Sequence, residues 1–282
     1  MFVITSAFRL MLGPSWWPPG PDRLRAAVAG RVVLVTGASS GIGAATARML
    51  GEAGATVLLV ARRAELLEEV RREIEKAGGD AAAYPADLAD GDEVDALAAA
   101  VLADHGRVDV VVSNAGKSIR RSQADTTDRF HDITRTNAVN YLGPVRLVGA
   151  LLPGMRERRD GHVVNISTVG VDLPTAHWAA YTASKAAFDT WLRCVSGEVR
   201  ADDVAVTSIH FPLVHTAMAA PTYSRSMPGL TATEAAGAIC RALVSRPRVM
   251  TPWWVRLMRP LVELAQGPYD AASAVVLTRR SR

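Results

Sequence analysis

Short apolar runs and longer amphipathic segments alternate along most of the chain. The runs at 32–35, 56–60 and 108–112 are mainly Val, Leu and other apolar residues, which is typical of strands buried on both faces. Between the runs, apolar residues return every three or four positions, which predicts helices that cover a sheet. The predicted strands are 32–35, 56–60, 81–86, 108–112, 162–167 and 204–211; the predicted helices are 44–53, 64–77, 90–104, 126–155, 180–199 and 231–245. This alternation predicts one doubly wound α/β domain, with a parallel sheet between two helix layers.

Two segments lie outside the alternation and set the expected domain boundaries. We expect an apolar N-terminal extension at 1–28, the α/β domain at 29–251 and a C-terminal tail at 252–282. The extension lacks a basic region before its apolar stretch, which argues against a secretory signal. No segment has the roughly 18 to 20 apolar residues of a membrane helix. The Trp-rich ends are predicted to cover a groove, contact another subunit or touch a membrane surface; they contain Trp16, Trp17, Trp253 and Trp254.

The amino-acid composition of the chain limits the classes of function that it can have. The 282 residues are 49% hydrophobic and 21% charged, which favours a folded globular chain. The net charge of +4 is modest and the arginines are scattered, so we do not expect a nucleic-acid partner. The two cysteines, Cys194 and Cys240, fall in partly apolar helical patterns. We interpret them as buried thiols in a reducing cytoplasm, with neither a metal site nor a disulfide.

A glycine-rich loop connects the first predicted strand to the first predicted helix. Gly37, Gly41 and Gly43 occupy this loop, and a second strand follows the helix. Glycines allow a tight turn and a close approach to a phosphate, while a helix N-terminus offers free N–H groups. The arrangement predicts a binding site for the phosphates of a dinucleotide.

A tyrosine and a lysine are spaced by one helical turn near the start of the helix at 180–199. Tyr181 and Lys185 therefore lie on one face of this helix. A free phenol has a pKa near 10, and a neighbouring ammonium group favours the phenolate. The pair predicts an acid–base catalyst in which the lysine lowers the pKa of the tyrosine.

Together these motifs resemble the short-chain dehydrogenase/reductase family, over roughly residues 30–251. The loop Thr36-Gly-Ala-Ser-Ser-Gly-Ile-Gly43, the pair Asp87-Leu88 and the segment 113–116 (Ser-Asn-Ala-Gly) match motifs of that family. The resemblance implies a Rossmann-type fold and a nicotinamide cofactor. The implied cofactor-binding residues are Gly37, Ser39, Ser40, Gly41, Ile42, Gly43, Asp87, Leu88, Asn114, Ala115, Gly116, Tyr181, Lys185, Val214 and Thr216.

The same resemblance implies four catalytic residues: Asn140, Thr168, Tyr181 and Lys185. Thr168 replaces the serine that the family places 13 residues before the tyrosine. Ser167 would point to the opposite side of a regular strand, so we assign the role to Thr168. A second departure is Pro212, which stands where the family usually has a glycine near the nicotinamide.

The residues at the end of the second predicted strand indicate whether the cofactor is NAD or NADP(H). An acidic side chain there would bind the ribose hydroxyls of NAD and repel a 2′-phosphate. Here the strand ends at Ala61 and is followed by Arg62 and Arg63, and guanidinium groups suit a phosphate. The sequence therefore predicts NADP(H), with Arg62 and Arg63 added to the cofactor site.

We expect an oxidoreductase that transfers hydride between nicotinamide and a carbonyl of a small apolar substrate, with segment 217–227 as a lid. A weaker resemblance to an actinobacterial branch implies fatty acyl-CoA reduction and lipid metabolism. Reduction of ketones or hydroxysteroids uses the same residues and stays open, as does a non-catalytic NADP(H)-binding role. The family resemblance also implies a homodimer or homotetramer. We expect a cytoplasmic location, with a peripheral membrane contact as a further possibility.

Overall fold

Strands and helices alternate through the computed structural model, which describes residues 12–268, 270 and 271. The α-helices are α1 Pro21–Val28, α2 Gly41–Glu52, α3 Ala64–Lys76, α4 Gly91–His105, α5 Phe130–Asn137, α6 Gly143–Glu157, α7 Ala179–Val199, α8 Ala232–Ser245 and α9 Trp253–Leu264. The strands are β1 Val32–Thr36, β2 Thr56–Ala61, β3 Asp80–Pro85, β4 Val110–Ser113, β5 Gly161–Thr168, β6 Val204–Phe211, β7 Val214–His215, β8 Leu230–Thr231 and β9 Val249–Met250.

Seven strands form a parallel sheet in the order β3-β2-β1-β4-β5-β6-β9. The chain runs outward from β1 to β3 and then crosses back to β4, so the strand order reverses between β1 and β4. Ligands of open α/β sheets bind beside the carboxyl ends of the strands at such a reversal. The predicted doubly wound fold is confirmed, and the short strands β7, β8 and β9 are additions to it.

The core has one apolar cluster on each face of the sheet. Side chains alternate along β1, so that Val33 and Val35 belong to one cluster and Leu34 to the other. Helices α1, α2, α3 and α8 cover the first face, and α4, α6 and α7 cover the second. Burying a Val or Leu side chain stabilises the fold by about 1.5–3 kcal/mol, so both faces hold the central strands rigidly.

The helical region predicted at 126–155 is confirmed from Phe130 to Glu157, but it is not a uniform α-helix. The chain instead forms helix α5, then a π-helical turn at Ala138–Leu142, and then helix α6. Pro144 lies in the first turn of α6, directly after the π turn, and it lacks the N–H that would continue the helical hydrogen bonds. The π turn carries Asn140, and such turns are frequent at functional sites.

The described part of the N-terminal extension packs onto the domain core. Leu12 and Trp16 are each 2% exposed, and the Trp16 ring meets Phe211 edge-to-face at 5.4 Å. Helix α1 then packs against α8, and Arg241 of α8 donates to the carbonyl of Trp17 at 2.9 Å. Residues 1–11 of the predicted extension lie outside the described residues.

The C-terminal segment leaves large apolar side chains on the surface. Trp253 is 55% exposed, and Leu257 and Leu261 on the same side of α9 are also exposed. Residues 269 and 272–282 of the predicted tail lie outside the described residues. Of the two cysteines, Cys240 is buried as expected, whereas Cys194 is exposed, because it lies on the outer side of α7.

Candidate active site

The glycine loop closes around the end of β1. Gly37 and Gly41 have positive φ angles of 68° and 58°, a conformation that side chains with a Cβ rarely adopt. A Cβ on Gly43 would lie 2.3 Å from the carbonyl oxygen of Gly37 and 2.6 Å from Nδ2 of Asn114. Helix α2 begins at Gly41, so the free N–H groups of its first turn lie in the same loop. The loop therefore forms the close-fitting cradle that dinucleotide phosphates require.

A hydrogen-bond network ties this loop to the end of β4. The Thr36 hydroxyl accepts hydrogen bonds from the N–H groups of Asn114 and Ala115 at 3.0 and 2.9 Å. Asn114 Nδ2 donates to the carbonyl of Thr36 at 2.9 Å. Thr36 was not among the predicted site residues, although its position directly before the first loop glycine could have indicated it. The network fixes two neighbouring loops at the point where the strand order reverses.

Cationic side chains surround the end of β2. Arg63 donates hydrogen bonds to the hydroxyls of Ser39 and Ser40, each at 3.0 Å. Arg62 lies 3.5 Å from a carboxylate oxygen of Asp87, and its side chain is exposed. The structure thus brings Arg63 together with the serines of the glycine loop, whereas Arg62 lies against Asp87.

The other predicted cofactor residues line the same edge of the sheet. Leu88 is buried, and its carbonyl oxygen lies so close to Gly143 at the start of α6 that a side chain on that glycine would clash with it. Ile42 and Ala115 pack against the two apolar clusters. A Cβ on Gly116 would lie 3.2 Å from Oδ1 of Asn140, so this glycine connects the cofactor loops to the predicted catalytic residues.

Asn140 joins the loop after β4 to helix α7. Its side chain accepts a hydrogen bond from the N–H of Lys117 at 2.8 Å and donates to the Lys117 carbonyl at 2.9 Å. It also donates to the Ser184 hydroxyl at 2.9 Å, and Ser184 donates to the Tyr181 carbonyl at 2.7 Å. Asn140 is 1% exposed, so these bonds hold the π turn firmly in place.

Tyr181 and Thr168 meet where β5 ends. The Thr168 hydroxyl lies near the Tyr181 phenol and tends to lower the pKa of Tyr181. Burial is the stronger effect, and it raises the pKa of Tyr181 to about 12. The neighbouring residue Ser167 is buried and its hydroxyl has no hydrogen-bond partner among the described residues. The geometry brings Thr168 to Tyr181, while its catalytic role stays a prediction.

The sequence predicts that Lys185 lowers the pKa of Tyr181, but in the structure Lys185 is not among the groups that shift this pKa. Its ammonium group donates to the carbonyl of Ile166 on β5 at 2.8 Å. Burial disfavours the charged amine and lowers the pKa of Lys185 to about 8. Burial of Tyr181 itself keeps the phenol protonated at neutral pH, a state in which it can donate a proton.

Val214 and Thr216 lie beyond β6, opposite the glycine loop. Val214 is buried and pairs with Leu230 in the two-strand sheet of β7 and β8. A Cβ on Gly41 would meet the Thr216 methyl group at 3.4 Å, which places Thr216 against the cofactor loop. The segment after Pro212 therefore reaches the glycine loop, and its contact with the nicotinamide stays a prediction.

Two aromatic rings outside the predicted set of site residues cover Tyr181. The ring of Trp178 meets Tyr181 edge-to-face at a centroid distance of 5.8 Å. Tyr223, from the predicted lid segment, stacks on Trp178 at 6.0 Å with an interplanar angle of 2°. The lid segment thus contacts the start of α7, next to the predicted catalytic tyrosine.

A buried cluster of charged side chains connects the strands and helices that carry the predicted catalytic residues. His210 at the end of β6 bonds through Nδ1 to Asp172 at 2.5 Å and through Nε2 to Asp189 at 3.1 Å. Asp172 lies four residues after Thr168, and Asp189 lies one turn after Lys185 on α7. Arg259 of α9 adds an ion pair with Asp172 at 3.3 Å. The cluster links β6, the segment after β5, α7 and α9.

The charge on His210 makes the stability of the fold dependent on pH. Burial opposes this charge, but the carboxylates of Asp172 and Asp189 outweigh burial and raise the pKa of His210 to about 9. Because the pKa of His210 is higher in the folded state than its unfolded value near 6.5, the charged imidazole stabilises the fold fully below pH 6.5. This stabilisation is lost as the pH rises through about 9. The expected loss in the free energy of unfolding is about 3 kcal/mol.

This prediction is tested by urea unfolding at about pH 6 and about pH 10, in the wild type and in His210→Gln. The wild type should lose more stability over this range than the variant, which lacks the titrating imidazole. Equal losses in the two proteins would show that His210 is not charged in the folded state.

Comparison with known proteins identifies the class. The family model described as short chain dehydrogenase matches residues 31–226. The chain is 48% identical over 222 residues to a fatty acyl-CoA reductase from Acinetobacter baylyi, covering 78% of this chain and 75% of that protein. It is 43% identical over 225 residues to a fatty acyl-CoA reductase from Mycobacterium tuberculosis, covering 79% of this chain and 76% of that protein.

A solved structure shows the same fold. It is a metagenomic short-chain oxidoreductase in complex with NADP, with a TM-score of 0.69 and 35% identity, and the match covers 79% of this chain and 96% of that one. The chain therefore belongs to the short-chain dehydrogenase/reductase family and is an NAD(P)-dependent oxidoreductase. No helix among the described residues is long and apolar enough to span a membrane.

Proposed function

We propose that this protein is an NADP(H)-dependent reductase that acts on the carbonyl of a fatty acyl thioester or fatty aldehyde. The observation that carries the chemistry is the meeting of Thr168 and Tyr181 at the end of β5, beside the glycine cradle. The similarity at 48% identity to a fatty acyl-CoA reductase supports the substrate class.

Each residue of the site has a role in this proposal. The bound cofactor supplies the hydride. Thr168 and Tyr181 hold the substrate carbonyl by hydrogen bonds to its oxygen, and Tyr181 donates its proton to that oxygen. With a thioester this gives a hemithioacetal, whose C–S bond then breaks to release the aldehyde, while the hydroxyl proton leaves with the free thiol. Lys185 binds the nicotinamide ribose, and Asn140 holds a water that connects Lys185 to solvent.

The proposal for NADP(H) rests on the residues around Arg63. Its guanidinium is held between the hydroxyls of Ser39 and Ser40, at the end of β2 where a 2′-phosphate would lie. Arg62 stands beside it, and Ala61 replaces the acidic residue that selects NAD. Three polar groups in this arrangement match the acceptor oxygens and the charge of a phosphate.

Replacing Arg63 by Ala is expected to raise the KM for NADPH by about 10-fold to 100-fold, because charge-assisted hydrogen bonds to the phosphate are lost. The KM for NADH should stay near its wild-type value, since NADH has no 2′-phosphate. Steady-state kinetics with both cofactors measure the difference. An equal loss with NADPH and NADH would contradict a role for Arg63 in cofactor choice.

The substrate class is tested by NADPH oxidation with long-chain acyl-CoA and with simple ketones and hydroxysteroid ketones in parallel. Oxidation with acyl-CoA together with release of free thiol is the expected result. Oxidation with ketones alone would establish an ordinary carbonyl reductase. NADPH binding without turnover of any substrate would favour a non-catalytic role.

Members of the family commonly form dimers or tetramers, and we propose the same for this chain. A cytoplasmic location and a peripheral contact with a membrane also remain part of the proposal. The exposed apolar side chains of α9 are available for either a subunit or a membrane contact.

A further inference from the structure

The segment that follows β5 carries both Thr168 and Asp172. A short 3₁₀ turn at Val169–Val171 connects these two residues. The Thr168 hydroxyl accepts a hydrogen bond from the Gly170 N–H at 3.2 Å, and the Asp172 N–H donates to the Val169 carbonyl at 3.1 Å. Because these local bonds make the turn a compact unit, a contact that holds the Asp172 side chain also holds the backbone of Thr168.

Helix α7 carries the other predicted catalytic side chains. Asp189 lies one turn after Lys185 and two turns after Tyr181, so the three residues share one face of the helix. Lys185 already joins α7 to β5, because it donates to the Ile166 carbonyl at 2.8 Å. A second connection at Asp189, one turn further along, sets the orientation of α7 as well as its distance from β5.

His210 at the end of β6 supplies this second connection. Its Nδ1 lies 2.5 Å from Asp172 and its Nε2 lies 3.1 Å from Asp189. Ionised carboxylates only accept hydrogen bonds, and imidazole donates from both nitrogens only when it is protonated. The two contacts together therefore indicate a charged ring. The three side chains are at most 6% exposed, so water competes little for these bonds.

We propose that His210 is a positioning residue for the proposed reaction, and that its two hydrogen bonds to Asp172 and Asp189 hold Thr168 in place against Tyr181. The inference rests on the proposed function and concerns how that site is kept in its reactive geometry. A displacement of about 1 Å at a reacting group can cost about 10²-fold in rate, so a loosened connection between β5 and α7 should lower kcat. The glycine cradle lies on other elements, so NADPH binding should not depend on His210.

The elements packed around His210 contribute several other polar and charged groups. Arg259 lies 3.3 Å from Asp172, and Arg193 lies 3.7 Å from Asp189, so each carboxylate has a second cation partner. The further groups are Glu263, paired with Arg259; Arg256, beside the same cavity; Thr251, whose hydroxyl lies 3.4 Å from Asp172; and the neutral Ser167, opposite His210 on β5.

A cavity of about 270 Å³ connects this cluster with the surface. Its lining includes His210 and the two carboxylates, together with the exposed side chains of Arg193 and Arg259. His210 can therefore exchange its proton with solvent. Burial lowers the pKa of His210, but the carboxylates outweigh burial and raise it to about 9. The double connection should consequently be present at neutral pH and be lost as the pH rises through about 9.

His210→Gln replaces the ring by an amide whose single nitrogen cannot reach two carboxylates on opposite sides. We expect kcat at pH 7 to fall about 10-fold, with the dissociation constant for NADPH unchanged. Rates are measured with whichever carbonyl class the wild type reduces, so failure of the acyl-CoA reaction does not invalidate this test. Circular dichroism at the assay temperature establishes that each variant is folded.

The pH dependence distinguishes positioning by the charged ring from a packing effect. The ratio of wild-type kcat to His210→Gln kcat cancels the titration of Tyr181 and Lys185, which both proteins share. This ratio should be about 10 at pH 7 and fall towards 1 as the pH rises through about 9. A ratio that is constant with pH, or a ratio of 1 at pH 7, would overturn the proposal.

Two further variants complete the comparison. His105→Gln on α4 is the matched control, because His105 contacts the Tyr84 hydroxyl at 2.9 Å, away from these elements. Its kcat should equal that of the wild type at every pH. Asp172→Asn serves if His210→Gln does not fold, since it keeps the size of the side chain and removes one carboxylate. Its kcat relative to the wild type should fall at a lower pH, because a single carboxylate stabilises the charged ring less.

Hydrogen–deuterium exchange tests the connection without any turnover. At pH 7 the N–H groups of Gly170 and Asp172 should exchange faster in His210→Gln than in the wild type, whereas those of β1 should be unchanged. Equal exchange in the two proteins would overturn the proposal. Faster exchange in a protein that reduces no carbonyl would support the connection between β5 and α7 and refute only the proposed reaction.

Discussion

Replacing Tyr181 by Phe is expected to lower kcat by about 10²-fold to 10⁴-fold, the usual contribution of a positioned general acid. The substitution removes the hydroxyl that lies near Thr168 and that carries the proton for the substrate oxygen. The ring remains, so its edge-to-face contact with Trp178 and the local packing should be kept. Single-turnover measurements of NADPH oxidation report this loss directly.

The dissociation constant for NADPH in Tyr181→Phe should stay close to the wild-type value, because the glycine cradle and Arg63 are untouched. Tyr84→Phe is the matched control, since the Tyr84 hydroxyl bonds to Asp104 away from the site. That control should retain activity. Full turnover by Tyr181→Phe would refute the catalytic assignment.

Gly43→Ala is expected to weaken NADPH binding strongly and to lower the stability of the fold by about 1–3 kcal/mol. The new methyl group would lie 2.3 Å from a backbone oxygen of Gly37, which cannot move without opening the loop. It would also displace the Asn114 side chain, and with it the network that joins the loops after β1 and β4. Calorimetric titration with NADPH and thermal unfolding measure the two effects.

Gly149→Ala provides the control, because this glycine lies in helix α6 with nothing within 4 Å of an added Cβ. The same substitution there should leave NADPH binding unchanged and stabilise the helix by about 1 kcal/mol. If Gly43→Ala bound NADPH as tightly as Gly149→Ala, the loop after β1 would not be the phosphate cradle.

The local pattern was sufficient to predict the central sheet. Strand β6 begins and ends where the sequence indicates, because its apolar residues are buried by helices on both faces. The π turn between α5 and α6 was not predictable from periodicity. Asn140 accepts and donates hydrogen bonds with the backbone of Lys117, a contact distant in sequence that the π turn makes possible.

The residue types of the candidate site could be predicted from the sequence, but the pKa values and hydrogen-bond partners of these residues could not. Spacing places Tyr181 and Lys185 on one helix face, but it does not show that Lys185 donates to the Ile166 carbonyl. Burial depends on the whole fold, and it moves the pKa of Tyr181 upward rather than downward. For the same reason the Trp178–Tyr223 stack was missed, since its two rings are brought together only by the closure of the lid segment.

The most direct test of the proposed reaction follows the hydride itself. Purified protein is incubated with a long-chain acyl-CoA and NADPH that carries deuterium on the transferred position, and the products are analysed by mass spectrometry. The proposal predicts deuterium on C1 of the fatty aldehyde or alcohol, with one free CoA thiol released for each thioester consumed. Unlabelled acyl products with no thiol release, alongside active reduction of ketones, would contradict it.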